Sequence, residues 1–248
     1  DFNVPLNQGV LIGNFRIKET LPTINYCLSK GASIVLMSHL GRPNGKVVQS
    51  LSLDPIAFAL EELLDKDVMF SNDCISDDAI SLSSQLLPGE IHLLENLRFY
   101  NEEINNDIEF ARKLAQHGDI FINDAFGTCH RSHASNVGVA KLIKDNCIGL
   151  LVKKELKYLD FVLKDPKSPF IAILGGAKVH DKIPFIDNML KKADSILIGG
   201  AMAFTFLKAI NKNIGCSLID EKSISFAKNI IENAKDNSTE IILPVDVV

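Results

Sequence analysis

The chain is 248 residues long, 46% hydrophobic, and carries 26 Lys and Arg against 31 Asp and Glu, for a net charge of -5. These values exclude a disordered chain and a generally basic, nucleic-acid-coating one, and they allow one large domain or two smaller ones, each with its own core. Apolar stretches such as Ser33 to Met37 and Ser195 to Ile198 fall far below the roughly 20 residues of a membrane helix, so no membrane partner is expected.

Asp1 and Asn3 stand two apart before Pro5, a spacing that predicts an extended segment with both side chains on one face at a strand end. Carboxylate and amide together suit a hydroxylated ligand; a plain turn-forming pair is the alternative. A strand is predicted over 33–38, and it runs into His39-Leu40-Gly41-Arg42-Pro43, where Gly41 and Pro43 shape a tight loop that holds Arg42 outward. A helix follows from Ser52 or Asp54 through Leu64, with Pro55 in its first turn, where a missing N–H costs nothing. Strands over 67–71 and 91–95 come next, the second leading into Asn96-Leu97-Arg98. A helix is predicted from about Asn106 to Gln116, ended by Gly118. The strand over 119–123 opens onto Thr128-Cys129-His130-Arg131. His130 and His133 flank Arg131 without a Glu or Cys at zinc-like spacing, which favours phosphate contacts or structural hydrogen bonds over a metal.

One long helix is predicted from Gly149 to Lys164, its apolar positions spread too widely for a single stripe, so that it touches two bodies. Pro166 and Pro169 break it. Strands over 169–174, 195–199 and 240–244 follow. The first ends in Gly175-Gly176-Ala177-Lys178, the second in Gly199-Gly200 before a helix from Ala201 to Ile210. Strand, glycine turn and helix start together let a backbone approach phosphate closely. Lys178 and Lys182, four apart, are expected on one helix face. Neither a Walker A loop nor a G-x-G-x-x-G fingerprint occurs. The domains expected are 1–148, an interdomain helix and hinge at 149–168, and 169–248. The last strand stops at Val248 without cap or tail, as a cut chain would.

Short apolar runs alternating with helical periods predict an α/β protein with two Rossmann-like, three-layer domains and mostly parallel sheets, the second incomplete. In a parallel sheet every strand-ending loop opens onto one edge. The cations of four such loops therefore converge, and in an acidic chain they call for a multiply charged anion, phosphate first. Any one of these arginines alone is more often merely solvated; several at strand ends are not so easily accidental. The five cysteines, Cys27, Cys74, Cys129, Cys147 and Cys216, are odd in number, scattered and without a C-x-x-C pair. They predict reduced, buried thiols in a cytoplasmic protein rather than disulfides or zinc. The chain opens on Asp1 without a charged-then-apolar leader, so no signal peptide is expected.

Six motifs, in order, carry a family resemblance: Asp1 to Leu6, Ser38 to Pro43, Glu95 to Phe99, Asn123 to Gly127 with Cys129 to His133, Leu174 to Val179 with Asp181 to Ile183, and Gly199 to Phe206. Together they resemble phosphoglycerate kinases across essentially the whole chain. The resemblance implies that Asp1 and Asn3 hold the glycerate hydroxyl and carboxyl end, and that Arg16 contacts the phosphoryl group in flight. His39, Arg42, Arg98 and Arg131 would bind the distal phosphate of 3-phosphoglycerate, with Phe2, Leu40 and Gly41 in the same substrate set. Gly176, Ala177, Lys178, Lys182 and Gly200 would serve ATP or ADP, and Arg16, Lys178 and Lys182 would be the catalytic cations. It further implies Mg2+ carried with the nucleotide and no tightly bound protein-ligated metal. The partners implied are 3-phosphoglycerate or 1,3-bisphosphoglycerate and ADP or ATP, with no nucleic acid, in a cytoplasmic monomer. The family's chain normally begins before the Asp-Phe-Asn motif and continues past the end seen here, through a second glycine-rich loop. A truncated piece is therefore expected, with a catalytically incompetent 3-phosphoglycerate-binding fragment as the alternative, and a separate α/β phosphate-binding enzyme as a third reading.

Overall fold

The computed structural model describes residues 1–7, 10–164, 166–177 and 179–246. Its contacts divide the chain into two units, Asp1–Tyr158 and Leu159–Val248.

The first unit opens with a short antiparallel pair, β1 (Leu6–Asn7) and β2 (Val10–Leu11), followed by α1 (Phe15–Ser29). Then come β3 (Ile34–Leu36), α2 (Asp54–Leu64), β4 (Val68–Ser71), α3 (Asp77–Ser84) and β5 (Ile91–Leu94). The parallel sheet they form has the order β3-β5-β4. All four residues of β5 are buried, which suits a central strand covered on both faces, and His92 is its one polar member. Ile91 and Leu93 share a core with Ile17 and Ile24 of α1 and with Ile56 and Leu60 of α2. Leu94 points the other way, into a core with Phe110, Leu114 and Val139, as period-two alternation requires.

That second core is supplied by α5 (Ile108–Ala115) and α6 (Val139–Leu142), which follow the short α4 (Asn101–Asn105). The helix expected from about Asn106 to Gln116 is α5, and α4 is a further short helix before it. Asn106 separates the two with a left-handed backbone, φ +54°, and Asp107 starts α5 by accepting the Phe110 N–H at 2.9 Å, an N-cap bond. Two further parallel strands, β6 (Ile120–Asn123) and β7 (Asp145–Ile148), pair with each other. Between the unpaired edges of β3 and β6 lies a cavity of about 1100 Å3, lined by Ser33 to His39 and by Asp119 to Ala125.

A chain of polar side chains is buried on the His92 face of the sheet. Ser83 Oγ lies 2.8 Å from His92 Nδ1 and 2.6 Å from His117 Nδ1. Ser71 Oγ meets His92 Nε2 at 2.7 Å, and His117 Nε2 meets the Cys74 carbonyl at 3.0 Å. A carbonyl only accepts, so His117 Nε2 carries the proton and its Nδ1 accepts from Ser83. With the one Ser83 hydrogen on the shorter contact to His117 and not on the Ala79 carbonyl 3.1 Å away, Ser83 accepts from His92 Nδ1–H, and Ser71 donates to His92 Nε2. Both imidazoles are then neutral. Burial agrees, pushing His92 down to about 4 and His117 below its ordinary value.

α7 (Leu150–Lys164) begins in the first unit, where Asp124 Oδ1 accepts the Val152 N–H at 3.0 Å and Thr23 Oγ1 accepts that of Leu150 at 2.9 Å. The second unit holds β8 (Ile171–Leu174), α8 (Ile183–Met189), β9 (Ser195–Ile198), α9 (Ala201–Ala209), α10 (Ile224–Asp236) and β10 (Glu240–Ile242). Its sheet is parallel, in the order β10-β9-β8. Ala172, Leu174, Ile196 and Ile198 meet Ile186, Met202, Phe206, Ala227 and Ile230 on one face. On the opposite face Ile171 and Ile173 are 51% and 76% exposed. The cysteines differ from expectation: Cys74 is buried and Cys27 half-buried, but Cys129, Cys147 and Cys216 are exposed. None of those three lies on a core-facing helix position, two being in loops and Cys147 in β7, whose residues are all exposed.

Candidate functional site

Glu95 and Asn96 leave β5 directly and organise what surrounds them. The buried Glu95 carboxylate accepts from Ser52 Oγ at 2.7 Å, from the Leu53 N–H at 2.8 Å and from the Asn96 N–H at 2.7 Å. It thereby places a negative charge at the N-terminus of α2, where the dipole favours one. The Asn96 amide is fully buried; it accepts from Leu40 N and Arg98 N, each at 3.1 Å, and donates to Leu40 O at 2.8 Å and Leu51 O at 2.9 Å. Every hydrogen-bonding position of that amide is filled, and two loops are fixed to each other by it.

Gly41 occupies the crossing point. Its φ is +62°, and an added Cβ would lie 2.8 Å from Leu51 Cδ2, so this turn requires glycine. Asn3 Oδ1 accepts the Gly41 N–H at 3.1 Å, and the Arg98 Nη1 donates to Gly41 O at 2.9 Å. Arg42, the next residue, is exposed. The N-terminal residues are clamped to the same loop: Ser38 Oγ accepts the Phe2 N–H at 2.7 Å and donates to Asp1 Oδ1 at 2.9 Å. Residues 1–4 are not the expected strand end, since the Val4 N–H folds back onto Phe2 O at 2.7 Å, a three-residue turn. The side chains of Asp1 and Asn3 still reach one loop. Arg16, exposed, donates from Nη1 to Asn3 O at 2.6 Å.

His39 is buried beneath these groups, its Nδ1 3.0 Å from Asp1 Oδ1. Burial, then the positive charges of Arg98 and Arg131, hold the imidazole down to about 4, so at neutral pH this contact is an N–H hydrogen bond to a carboxylate rather than an ion pair. Arg98 is also buried, and its Nε has no hydrogen-bond partner. Burial first, then Arg131 and Arg42, lower its affinity for a proton, while Glu103 opposes them. His133 is lowered first by burial and then by the charges of Arg98 and Arg131. Arg98 therefore stands within electrostatic reach of His39, Arg42 and Arg131, with its own buried Nε lacking a hydrogen-bond partner. Such an arrangement favours a bound anion.

The third cationic loop follows β6. Asn136 Nδ2 donates to Thr128 O at 3.0 Å and Arg131 O at 3.2 Å, while its Oδ1 accepts from Asn123 at 2.9 Å. Arg131 is exposed on this loop. Glu95, Asn96, Glu103, Asn123 and Asn136 were not singled out from sequence; the one available signal was a polar pair directly after a fully apolar strand.

In the second unit, two glycine turns at adjacent strand ends touch through backbone. The Met202 N–H donates to Gly176 O at 2.6 Å, and the Gly199 N–H to Leu174 O at 2.8 Å. Gly200 has φ +64°, and a Cβ there would lie 3.1 Å from Gly176 N. Lys182 Nζ would be 3.1 Å from a Cβ on Gly176, whose φ is +132°, so the ammonium lies over this turn beside Ala177. Lys178 lies outside the described residues. Helix α8 starts at Ile183, with Pro184 in its first turn and a 3-10 turn at His180–Lys182 before it, so Lys182 precedes the helix instead of lying on its face.

A profile of the family described as phosphoglycerate kinase matches residues 1–248. Curated relatives named phosphoglycerate kinase include those of Chlorobium phaeobacteroides, 49% identical, and Prosthecochloris aestuarii, 50% identical; each match covers all of this chain and 63% of the relative. The solved structure of phosphoglycerate kinase from Coxiella burnetii superposes with a TM-score of 0.83 at 38% identity, over all of this chain and 62% of that one. The chain thus spans less than two thirds of the length of these relatives. With its parallel α/β fold and a family match over its whole length, the chain belongs to the phosphoglycerate kinase family.

Proposed function

We propose that the protein acts in reversible phosphoryl transfer between 1,3-bisphosphoglycerate and ADP, giving 3-phosphoglycerate and ATP. The observation that carries this reading is the grouping of His39, Arg42, Arg98 and Arg131 beside Asp1 and Asn3 at the strand ends of the first unit. In the direction of ATP use, a carboxylate oxygen of 3-phosphoglycerate forms a bond to the γ-phosphorus as the bond to the β-phosphate oxygen breaks, and ADP leaves. The carboxylate is already ionised, so no general base is needed; alignment and neutralisation of charge are.

In this reading His39, Arg42, Arg98 and Arg131, with Phe2, Leu40 and Gly41, hold the distal phosphate end. Asp1 and Asn3 hold the glycerate, and Arg16 meets the transferring group. Gly176, Ala177, Lys178, Lys182 and Gly200 serve the nucleotide phosphates. Residues 1–148 would be the substrate domain, 149–168 the connecting helix and hinge, and 169–248 part of the nucleotide domain. The glycine turns and Lys182 offer N–H and ammonium donors, which fit phosphate oxygens and do not fit a divalent cation. Magnesium would therefore come on the nucleotide, and no step above is routed through it. The unpaired cysteines support a reducing, cytoplasmic setting. Calorimetry with 3-phosphoglycerate and with ADP, beside a coupled assay of ATP use, tests the reading: failure to bind 3-phosphoglycerate would overturn it.

A further inference from the structure

Glu103 belongs to no motif that carries the family resemblance, yet it is among the least exposed charged groups of the first unit, at 2%. It lies on α4, shortly after Arg98, and both carboxylate oxygens turn toward the loop that follows β6. Oε2 accepts the Ser135 N–H at 2.9 Å; Oε1 accepts Ser135 Oγ–H at 2.6 Å and lies 3.5 Å from His133 Nδ1. The next residue, Asn136, grips the carbonyls of Thr128 and Arg131. A continuous path therefore runs from α4 through Ser135 and Asn136 to the backbone of Arg131.

We propose that Glu103 is a positioning residue of the anion site: by tying Ser135 to α4, it sets the loop bearing Arg131 against Arg98. The chemistry requires such a tie. Arg98 and Arg131 repel, so an empty site would spread unless something held its two sides. A carboxylate accepting two hydrogen bonds does this while opposing the local positive charge. Burial holds the Glu103 carboxyl above its ordinary value, and the two Ser135 bonds and Arg98 oppose that rise only in part. The inference rests on the reading of these loops as the 3-phosphoglycerate site.

The test is calorimetric titration of the protein, Glu103→Ala, Glu103→Gln and Ser135→Ala with 3-phosphoglycerate, inorganic phosphate and ADP. Gln can still accept the Ser135 N–H and donate to its hydroxyl, so it keeps the tie without the charge. Glu103→Ala should weaken 3-phosphoglycerate about tenfold or more, Ser135→Ala about threefold, and Glu103→Gln by less than about threefold. ADP affinity should stay level in all variants, which a general loss of folded protein would not allow. Unchanged 3-phosphoglycerate affinity in Glu103→Ala, or a loss in Glu103→Gln as large as in Ala, overturns the proposal. If the Ala variant does not fold, an unaffected Ser135→Ala overturns it. Should the parent protein bind phosphate but not 3-phosphoglycerate, the substrate reading fails while the phosphate series still decides the role of Glu103; binding of neither anion overturns both.

Discussion

Asn96 and Gly200 each govern a turn at the C-terminal end of a parallel strand, Asn96 after β5 through what its side chain donates and accepts, Gly200 after β9 through having none. The first unit's loops are side-chain constructions: Glu95, Asn96 and Glu103 each hold backbone that is distant in sequence, and Asn136 holds the carbonyls of its own loop. The second unit's turns rest on backbone contact, with Gly176 and Gly200 too close for a Cβ between them. A strand end can thus be shaped for an anion either by buried polar atoms or by absent carbon. The two constructions should fail in different ways, the first on loss of a group and the second on gain of one.

The sharpest separation is expected from Asn96→Ala. It leaves the N–H groups of Leu40 and Arg98 and the carbonyls of Leu40 and Leu51 without partners, at a cost of about 3–5 kcal/mol in chemical denaturation. A loss below about 1 kcal/mol would mean that the loops hold themselves. Acid should also reach the first unit selectively. Burial holds the folded His92 near 4, below the ordinary value of about 6.5, so between those limits the unfolded chain binds more protons than the folded one. Its contribution, on the order of 3 kcal/mol for so buried an imidazole, is fully present above about pH 6.5 and is lost as the pH falls toward 4. Denaturation of the protein and of His92→Gln from pH 7 to 4.5 checks this, since equal slopes would remove His92 as the cause.

Arg42→Ala sharpens the comparison at the level of ligands. It should cost about 1.5–3 kcal/mol of 3-phosphoglycerate binding and leave ADP affinity level; equal losses would argue against the assignment of the two units. Gly200→Ala should do the reverse. Gly200 has φ 64° and ψ −166°, a backbone region essentially reserved for glycine, where alanine costs about 1–3 kcal/mol, and the Cβ crowds Gly176, so denaturation of the second unit and ADP binding should both weaken while 3-phosphoglycerate binding holds. Loss confined to 3-phosphoglycerate would break the contrast.

The strands were legible because buried parallel strands are plain apolar runs: β4, β5, β8 and β9 fall within the expected spans. β7, Asp145–Ile148, was not, because its residues are exposed and its polar start breaks the pattern. The short helix α4, Asn101–Asn105, was not legible, because the left-handed Asn106 ends it after little more than one turn. At the candidate site the cations were legible, since they follow strands and strand ends share an edge. Their supports were not. Asn96 acts on Leu40, 56 residues away, and Glu103 on Ser135, 32 away, and nothing local in either position distinguishes a buried acceptor from a solvated one.

The directed chain of hydroxyls and imidazoles has a consequence in time. Its links come from β4, the segment just beyond it, α3, β5 and the end of α5, so Ser71 and His117 are linked only after all of these have met. Bonds that depend on so many separate arrivals form late, after the loop-closure entropy has been met by the apolar cores. Replacing Ser83, the hydroxyl common to both imidazoles, should therefore leave the rate of folding nearly unchanged and quicken unfolding. The buried chain would act as a latch that lengthens the lifetime of the assembled unit rather than as a guide to its assembly.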